Sequence, residues 1–238
     1  MSLTPEFTTF EKEYKSGRNQ VVYSKLTSDL DTPVSIMLKL AGAKKNSFIL
    51  ESVTGGEIRG RYSIIGMDPD LIWKCEEEQS FLSSGDSVFK PISGQPLSVF
   101  RDLLQQSVIN LPKELPQSSA GLFGYFGYDM VRHVENLPNL NKDTIGLPDA
   151  MFIRPSIIAV LDGVKGEVIL VAPVFYEPKV DEKEAFKKAK EKISSAILEL
   201  KKQTITDRNL GTPGETVSYT HLRAHETRGN LVCRLLLE

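Results

Sequence analysis

The chain has 238 residues, 40% hydrophobic and 8% aromatic, enough to bury a sizeable core as one large domain or two small ones. Its 29 Lys and Arg nearly cancel 31 Asp and Glu, leaving a net charge of -2, so no global field draws it to nucleic acid or to an anionic membrane. Two distant cysteines, Cys75 and Cys233, a charged N-terminal stretch without an apolar core, and no run near the roughly 18 apolar residues of a membrane span together predict a cytoplasmic protein with neither disulfide framework nor signal segment.

In chain order, Thr4, Pro5 and Gly17 bracket a predicted helix over residues 5–16, by the grammar of cap, first-turn proline and closing glycine. Asp31 or Thr32, Pro33 and Gly42 bracket a second, short and buried, carrying Val34, Ile36, Met37, Leu38 and Leu40. The segment SFILES reads as a strand that enters the Thr54-Gly55-Gly56 turn, and its hairpin partner follows. RYSIIG and DLIWKCE are two further strands separated by Asp68-Pro69, and SFLSSGDSVFK is a hairpin about Gly85-Asp86. Leu97, Phe100, Leu103, Leu104 and Val108 recur at helical spacing over residues 96–109, before a proline-marked linker, LPKELPQ.

A second β section comprises AGLFGYFGYD, interrupted by glycines, then MFIRPSIIAVLD and EVILVAPVF joined at Gly163 to Gly166, with Pro155 at a bulge or an edge. Asp181 and Glu184 resemble a capping box for a last helix reaching about residue 203, with Ala185, Phe186, Ala189, Ile193, Ala196, Ile197 and Leu200 on one stripe. Helices, antiparallel strands, a crossing helix and more antiparallel strands, without βαβ alternation, predict an α+β fold of antiparallel sheets with flanking helices.

Two motifs stand out. In FILESVTGGEIRGRYSIIG an apolar strand delivers Glu51 and Ser52 to a glycine turn, and arginines return on its far side. A free amino acid needs an acceptor for its ammonium, donors for its carboxylate and an apolar wall, which Glu51, Ser52, Arg59 or Arg61, and Leu50 could provide. The alternative is a turn serine bonding its own backbone and a Glu51–Arg61 surface pair. In GLFGYFGYDMVRHVENLP the glycines fall every third residue without the spacing or the Lys of a phosphate loop. Gly124 and Gly127, interleaved with Tyr125 and Tyr128 and followed by Asp129, read as bulged strand packed closely by another backbone or domain.

These two motifs, about 70 residues apart, resemble the N-terminal region of the anthranilate synthase component I family of chorismate-utilising enzymes, over residues 1–203. The folate-pathway relative, aminodeoxychorismate synthase component I, is the close alternative, and a stand-alone amino-acid-binding module is a third. The resemblance implies an enzyme of tryptophan biosynthesis, a lyase that uses Mg²⁺ and ammonia from a glutamine amidotransferase partner to convert chorismate to anthranilate and pyruvate. It also implies that Leu50, Glu51 and Ser52, with Arg61, contact L-tryptophan as feedback inhibitor, and that Gly124, Tyr125, Gly127, Tyr128 and Asp129 lie at an interdomain contact.

The sequence departs from the family beyond the last helix. The chorismate-binding part, with its Mg²⁺ ligands, is not in these residues, so the chain alone is expected to be inactive and to meet chorismate only through that part. Residues 204–216 read as a linker and 217–238 as an artefactual tail foreign to the family. His221 and His225 in that tail have Glu226 beside them, but the pattern is not H-E-x-x-H, and neighbouring arginines oppose a cation, so no metal site is assigned. No catalytic residue is assigned either: His133 has no G-x-S-x-G motif to serve and the cysteines have no evident activating partner.

Overall fold

The computed structural model describes residues 2–28, 30–42, 44–51, 61–84, 88–138 and 146–202. The elements are α1 (Phe7–Lys15), β1 (Gln20–Thr27), α2 (Pro33–Leu40), β2 (Phe48–Leu50), β3 (Tyr62–Glu76), β4 (Gln79–Ser83), β5 (Lys90–Ile92), α3 (Pro96–Gln106), β6 (Phe123–Phe126), β7 (Ala150–Asp162), β8 (Glu167–Val174) and α4 (Glu182–Leu200). Ser52 and Arg59, the turn about Gly85, and residues 203–238 with the expected linker and tail lie outside the described residues.

Among the described residues the strands form one antiparallel sheet in the order β1-β8-β7-β3-β4-β5, with β2 added to β3 and β6 added to β7. The two long strands β3 and β7 pair from Tyr62↔Asp162 to Cys75↔Ala150 and carry the others. RYSIIG and DLIWKCE are thus one strand, not two. Asp68 adopts φ +49° and the register shifts between Pro69 and Leu71, so the predicted break is a bulge that the ladder passes through. Pro155 lies opposite Pro69, where β6, paired only as far as Ile153, has ended and the β8 ladder, starting at Ile158, has not begun. A residue without an N–H is tolerated there because no ladder bond is lost.

Both faces of the sheet are buried along β1, β8, β7 and the start of β3, which explains their near-continuous apolar runs. Val22, Ile65, Met67, Ile157, Ala159, Val168 and Leu170 face α1, α2 and α4, packed against Phe10, Ile36, Leu40, Ala189 and Ile193. Val21, Tyr23, Ile64, Ile158, Val160, Ile169 and Val171 face the other way, under Leu111 and Leu115. The segment read as a linker therefore covers this second face. Leu115 is buried, and the Tyr23 hydroxyl donates to the Glu114 carboxylate at 2.6 Å. A third cluster gathers Trp73, Cys75, Phe100, Leu103 and Met130 beneath α3, which ends at Gln106 and leaves Val108 exposed.

Three further differences have local causes. α1 begins at Phe7 because Thr4 pairs with Tyr23 through two backbone hydrogen bonds of 2.8 and 2.9 Å, extending the chain beside β1, and Glu6 takes the cap position. β1, to which no element was assigned, pairs β8 from Gln20↔Val174 to Thr27↔Glu167; its sequence QVVYSKLT is rich in β-formers. Val34 and Leu38 are exposed, so α2 buries only one stripe, through Ile36 and Leu40.

The cap of α2 is as expected: the Thr32 side chain accepts from Ser35 N at 3.1 Å and the Ser35 hydroxyl accepts from Thr32 N at 3.0 Å. Thr32→Ala should therefore cost about 1 kcal/mol in urea unfolding; unchanged stability would show that the cap contributes nothing. Asp181 likewise caps α4, accepting from Glu184 N at 2.7 Å, and the Ala185–Ala189–Ile193–Ala196 stripe is buried as the periodicity predicts.

Candidate functional site

β2 is only three residues long and is seated by pairing Phe48↔Gly66, Ile49↔Ile65 and Leu50↔Ile64. The Phe48 ring lies across Gly66 and stacks on Phe123 with centroids 4.7 Å apart. A Cβ at Gly66 would enter that ring and come within 2.8 Å of Pro155 Cγ, so the glycine of the SIIG segment is what lets β2 dock.

Beyond the seat, Leu50 is 51% exposed and Glu51 is exposed as well. The antiparallel order brings the end of β2, the start of β3 and the end of β7 to the same edge of the sheet. Leu50 and Glu51 thus share that edge with Arg61 and Asp162.

Arg61 is held there by a carboxylate that the sequence reading did not single out. Its Nε and Nη2 donate to the two Asp162 oxygens at 2.9 and 2.6 Å, and its guanidinium lies 5.0 Å from the Tyr62 ring centroid. The Asp162 side chain is 3% exposed and also accepts from Val164 N at 3.1 Å and Lys165 N at 3.2 Å. Burial alone would raise the Asp162 pKa, but Arg61 and the two turn N–H groups outweigh it and hold the carboxyl below its ordinary value. The edge so formed offers an exposed apolar side chain, a solvent-facing carboxylate suited to an ammonium group, and a guanidinium fixed by a buried partner.

The second motif folds as β6 followed by a 3-10 turn, Tyr128–His133. A Cβ at Gly124 would overlap the Met151 carbonyl oxygen and lie 2.7 Å from Phe152 Cα, and one at Gly127 would lie 2.8 Å from Asp149 O. The closely packed backbone inferred from these glycines is that of β7 and the residue before it, in the same chain. What β6 leaves to solvent is aromatic: Tyr125 is 42% exposed, Phe126 47% and Tyr128 88%. Phe126 also anchors inward, 5.1 Å from Phe100 and 4.8 Å from Phe152 by ring centroids. Asp129 bonds Arg132 at 2.8 Å beside this ledge.

His133 does have a neighbour that the sequence did not reveal, since its Nε2 lies 3.7 Å from Cys75 Sγ. Burial, with the Asp149 and Glu76 charges, pushes that thiol up to about 11, so it is not a ready nucleophile. Arg154, on β7 opposite the β3 bulge, is bidentate to Asp70 at 2.7 and 3.1 Å and lies 3.8 Å from the Phe175 centroid. Among the described residues there is no group of three or more His, Cys, Asp or Glu that could hold a metal ion. No described helix is long and apolar enough to cross a membrane.

No family model matches the chain. Among curated proteins it is 50% identical, over 209 residues, to anthranilate synthase component 1 of Cereibacter sphaeroides, an alignment covering 86% of this chain and 42% of that protein. Anthranilate synthase component 1 of Pseudomonas aeruginosa is 35% identical over 196 residues, covering 81% and 39% respectively. Among solved structures, anthranilate synthase component I from Streptococcus pneumoniae superposes with a TM-score of 0.51 at 24% identity, over 76% of this chain and 37% of that one, a likeness of fold. The chain thus spans about two fifths of the length of the curated relatives it matches. Half of the 209 aligned residues are identical, so over this stretch the chain is homologous to anthranilate synthase component 1, of which it covers 42%.

Proposed function

We propose that residues 1–203 are the N-terminal, effector-sensing part of anthranilate synthase component I, and that the β2–β3 edge contributes to a site for L-tryptophan. In this reading Glu51 accepts from the ligand ammonium, Leu50 packs on its side chain, Ser52 hydrogen-bonds it and Arg61 fixes the strand end beside it. The observation that carries the reading is the half-exposed Leu50 next to exposed Glu51, at the strand end where Arg61 is held by Asp162.

The catalytic conversion of chorismate, with Mg²⁺ bound and ammonia delivered by a component II amidotransferase, belongs to sequence beyond these residues. The exposed Tyr125, Phe126 and Tyr128, rooted on β7 through Gly124 and Gly127, are the surface on which that chorismate-binding part docks, with Asp129 at its rim. Covering three partly exposed aromatic side chains supplies a favourable apolar term for such docking. Feedback then requires tryptophan to bind one arrangement of the two parts more tightly than the other.

In an enzyme completed by the chorismate-binding part, Ser52→Ala should raise the tryptophan concentration giving half-inhibition by on the order of tenfold, measured against the variant's own uninhibited rate, as loss of one hydrogen bond to a charged ligand predicts. Inhibition identical to that of the parent enzyme would remove Ser52, and the strand-end site with it, from the reading.

A further inference from the structure

We propose that Asp162 is a positioning residue of the amino-acid site at the β2–β3 edge, acting through Arg61 without touching the ligand. The proposal rests on the effector reading above. Four donors converge on this one buried carboxylate: Arg61 Nε and Nη2, Val164 N and Lys165 N. The same turn grips the Arg61 backbone, since Gly163 N donates to Arg61 O at 2.9 Å. Arg61 is therefore fixed at both side chain and main chain by the β7–β8 connection.

Position 61 immediately precedes β3, and three residues later Ile64 pairs with Leu50. A shift at Arg61 is thus transmitted directly to the edge that presents Leu50 and Glu51. A ligand carboxylate that took Arg61 Nε and Nη2 for itself would strip a buried carboxylate of its charged partner and of two of its four donors, which is unfavourable. Arg61 accordingly serves the site as the arm of a clamp whose fixed jaw is Asp162.

The distinction is testable by isothermal titration of L-tryptophan into the full 238-residue chain and into Asp162→Asn, Arg61→Gln and the double variant. Asn retains an Oδ1 acceptor for Val164 N and Lys165 N, so the turn persists while the Nη2 bond and the negative charge that hold Arg61 are lost. Circular dichroism and a thermal melt confirm that each variant is folded at the titration temperature; should Arg61→Gln not fold, Arg61→Lys replaces it. The expected result is that each single change weakens binding on the order of tenfold and the double change weakens it by about the same factor, since both open one clamp. A purely structural pair would lower Tm and leave Kd of the folded molecules unchanged, which overturns the proposal. So does a double variant whose loss is the product of the two singles, because Arg61 would then contact the ligand independently of Asp162. If the parent chain itself gives no tryptophan binding, the effector reading fails and this proposal falls with it, a result distinct from normal binding by Asp162→Asn.

Discussion

Gly124→Ala should lower the unfolding free energy by about 3 kcal/mol, the upper range for forcing one methyl into a packed site, because the methyl has nowhere to go. The obstructing atoms are the Met151 carbonyl oxygen and Phe152 Cα of the paired strand, so no side-chain rotation relieves the overlap. β6 must lift away from β7, and that would also withdraw Phe126 from the Phe100 and Phe152 rings. Urea unfolding read by circular dichroism measures the loss. Stability equal to the parent's would mean that β6 does not lie on β7 as described. The same change should disturb the aromatic ledge of Tyr125 and Phe126, so the glycine periodicity has a structural cause in the close approach of β7.

Asp162→Ala should cost a similar amount, about 3 kcal/mol, by the opposite mechanism of removing a partner. The Arg61 guanidinium and the Val164 and Lys165 N–H groups would all lose their acceptor at a position where the carboxylate is almost fully buried. The pH dependence has a definite sign. The Asp162 pKa is lowered in the folded chain, so its ionised form stabilises the fold above the unfolded carboxyl pKa of about 3.9, and that contribution is lost as pH falls through the depressed folded value. The deficit of Asp162→Ala relative to the parent should therefore be full at neutral pH and shrink on acidification below about pH 4. A deficit independent of pH would deny that the charge of Asp162 contributes.

Periodicity and punctuation made much of this fold legible before any coordinates. The α4 stripe, a cap for α2 at Asp31 or Thr32, the pair MFIRPSIIAVLD and EVILVAPVF, and the antiparallel α+β class all follow from patterns within a window of a dozen residues. The features that were not legible depend on distant partners. Thr4 has the credentials of a cap, yet a strand 19 residues on takes its backbone instead. Asp68-Pro69 has the chemistry of a turn, but both flanking segments face the unbroken β7, and the ladder absorbs the irregularity as a bulge. Pro-rich LPKELPQ carries only one large apolar side chain per few residues, and nothing local shows that a bare sheet face awaits Leu115.

At the site the same division holds. Leu50, Glu51 and Arg61 could be singled out because they crowd into one short motif, and β2 and β3 do bring them to one sheet edge. Asp162 is 101 residues from its arginine and had no motif of its own. It sits at the end of an apolar run where an acidic residue reads as an ordinary turn former. Only the pairing Tyr62↔Asp162 reveals that this carboxylate backs the edge. The glycines of GLFGYFGYD do meet a closely approaching backbone, and it is that of β7 and Asp149 within the chain.

The most direct test of an effector site at the β2–β3 edge is amide hydrogen exchange of the 238-residue chain, with and without saturating L-tryptophan. The account predicts added protection concentrated at Leu50, Glu51, Arg61 to Ile64 and the β7–β8 turn from Asp162 to Gly166, with α3 and the α1–α4 contact unchanged. Protection confined to other regions, or no change at any concentration, would contradict it.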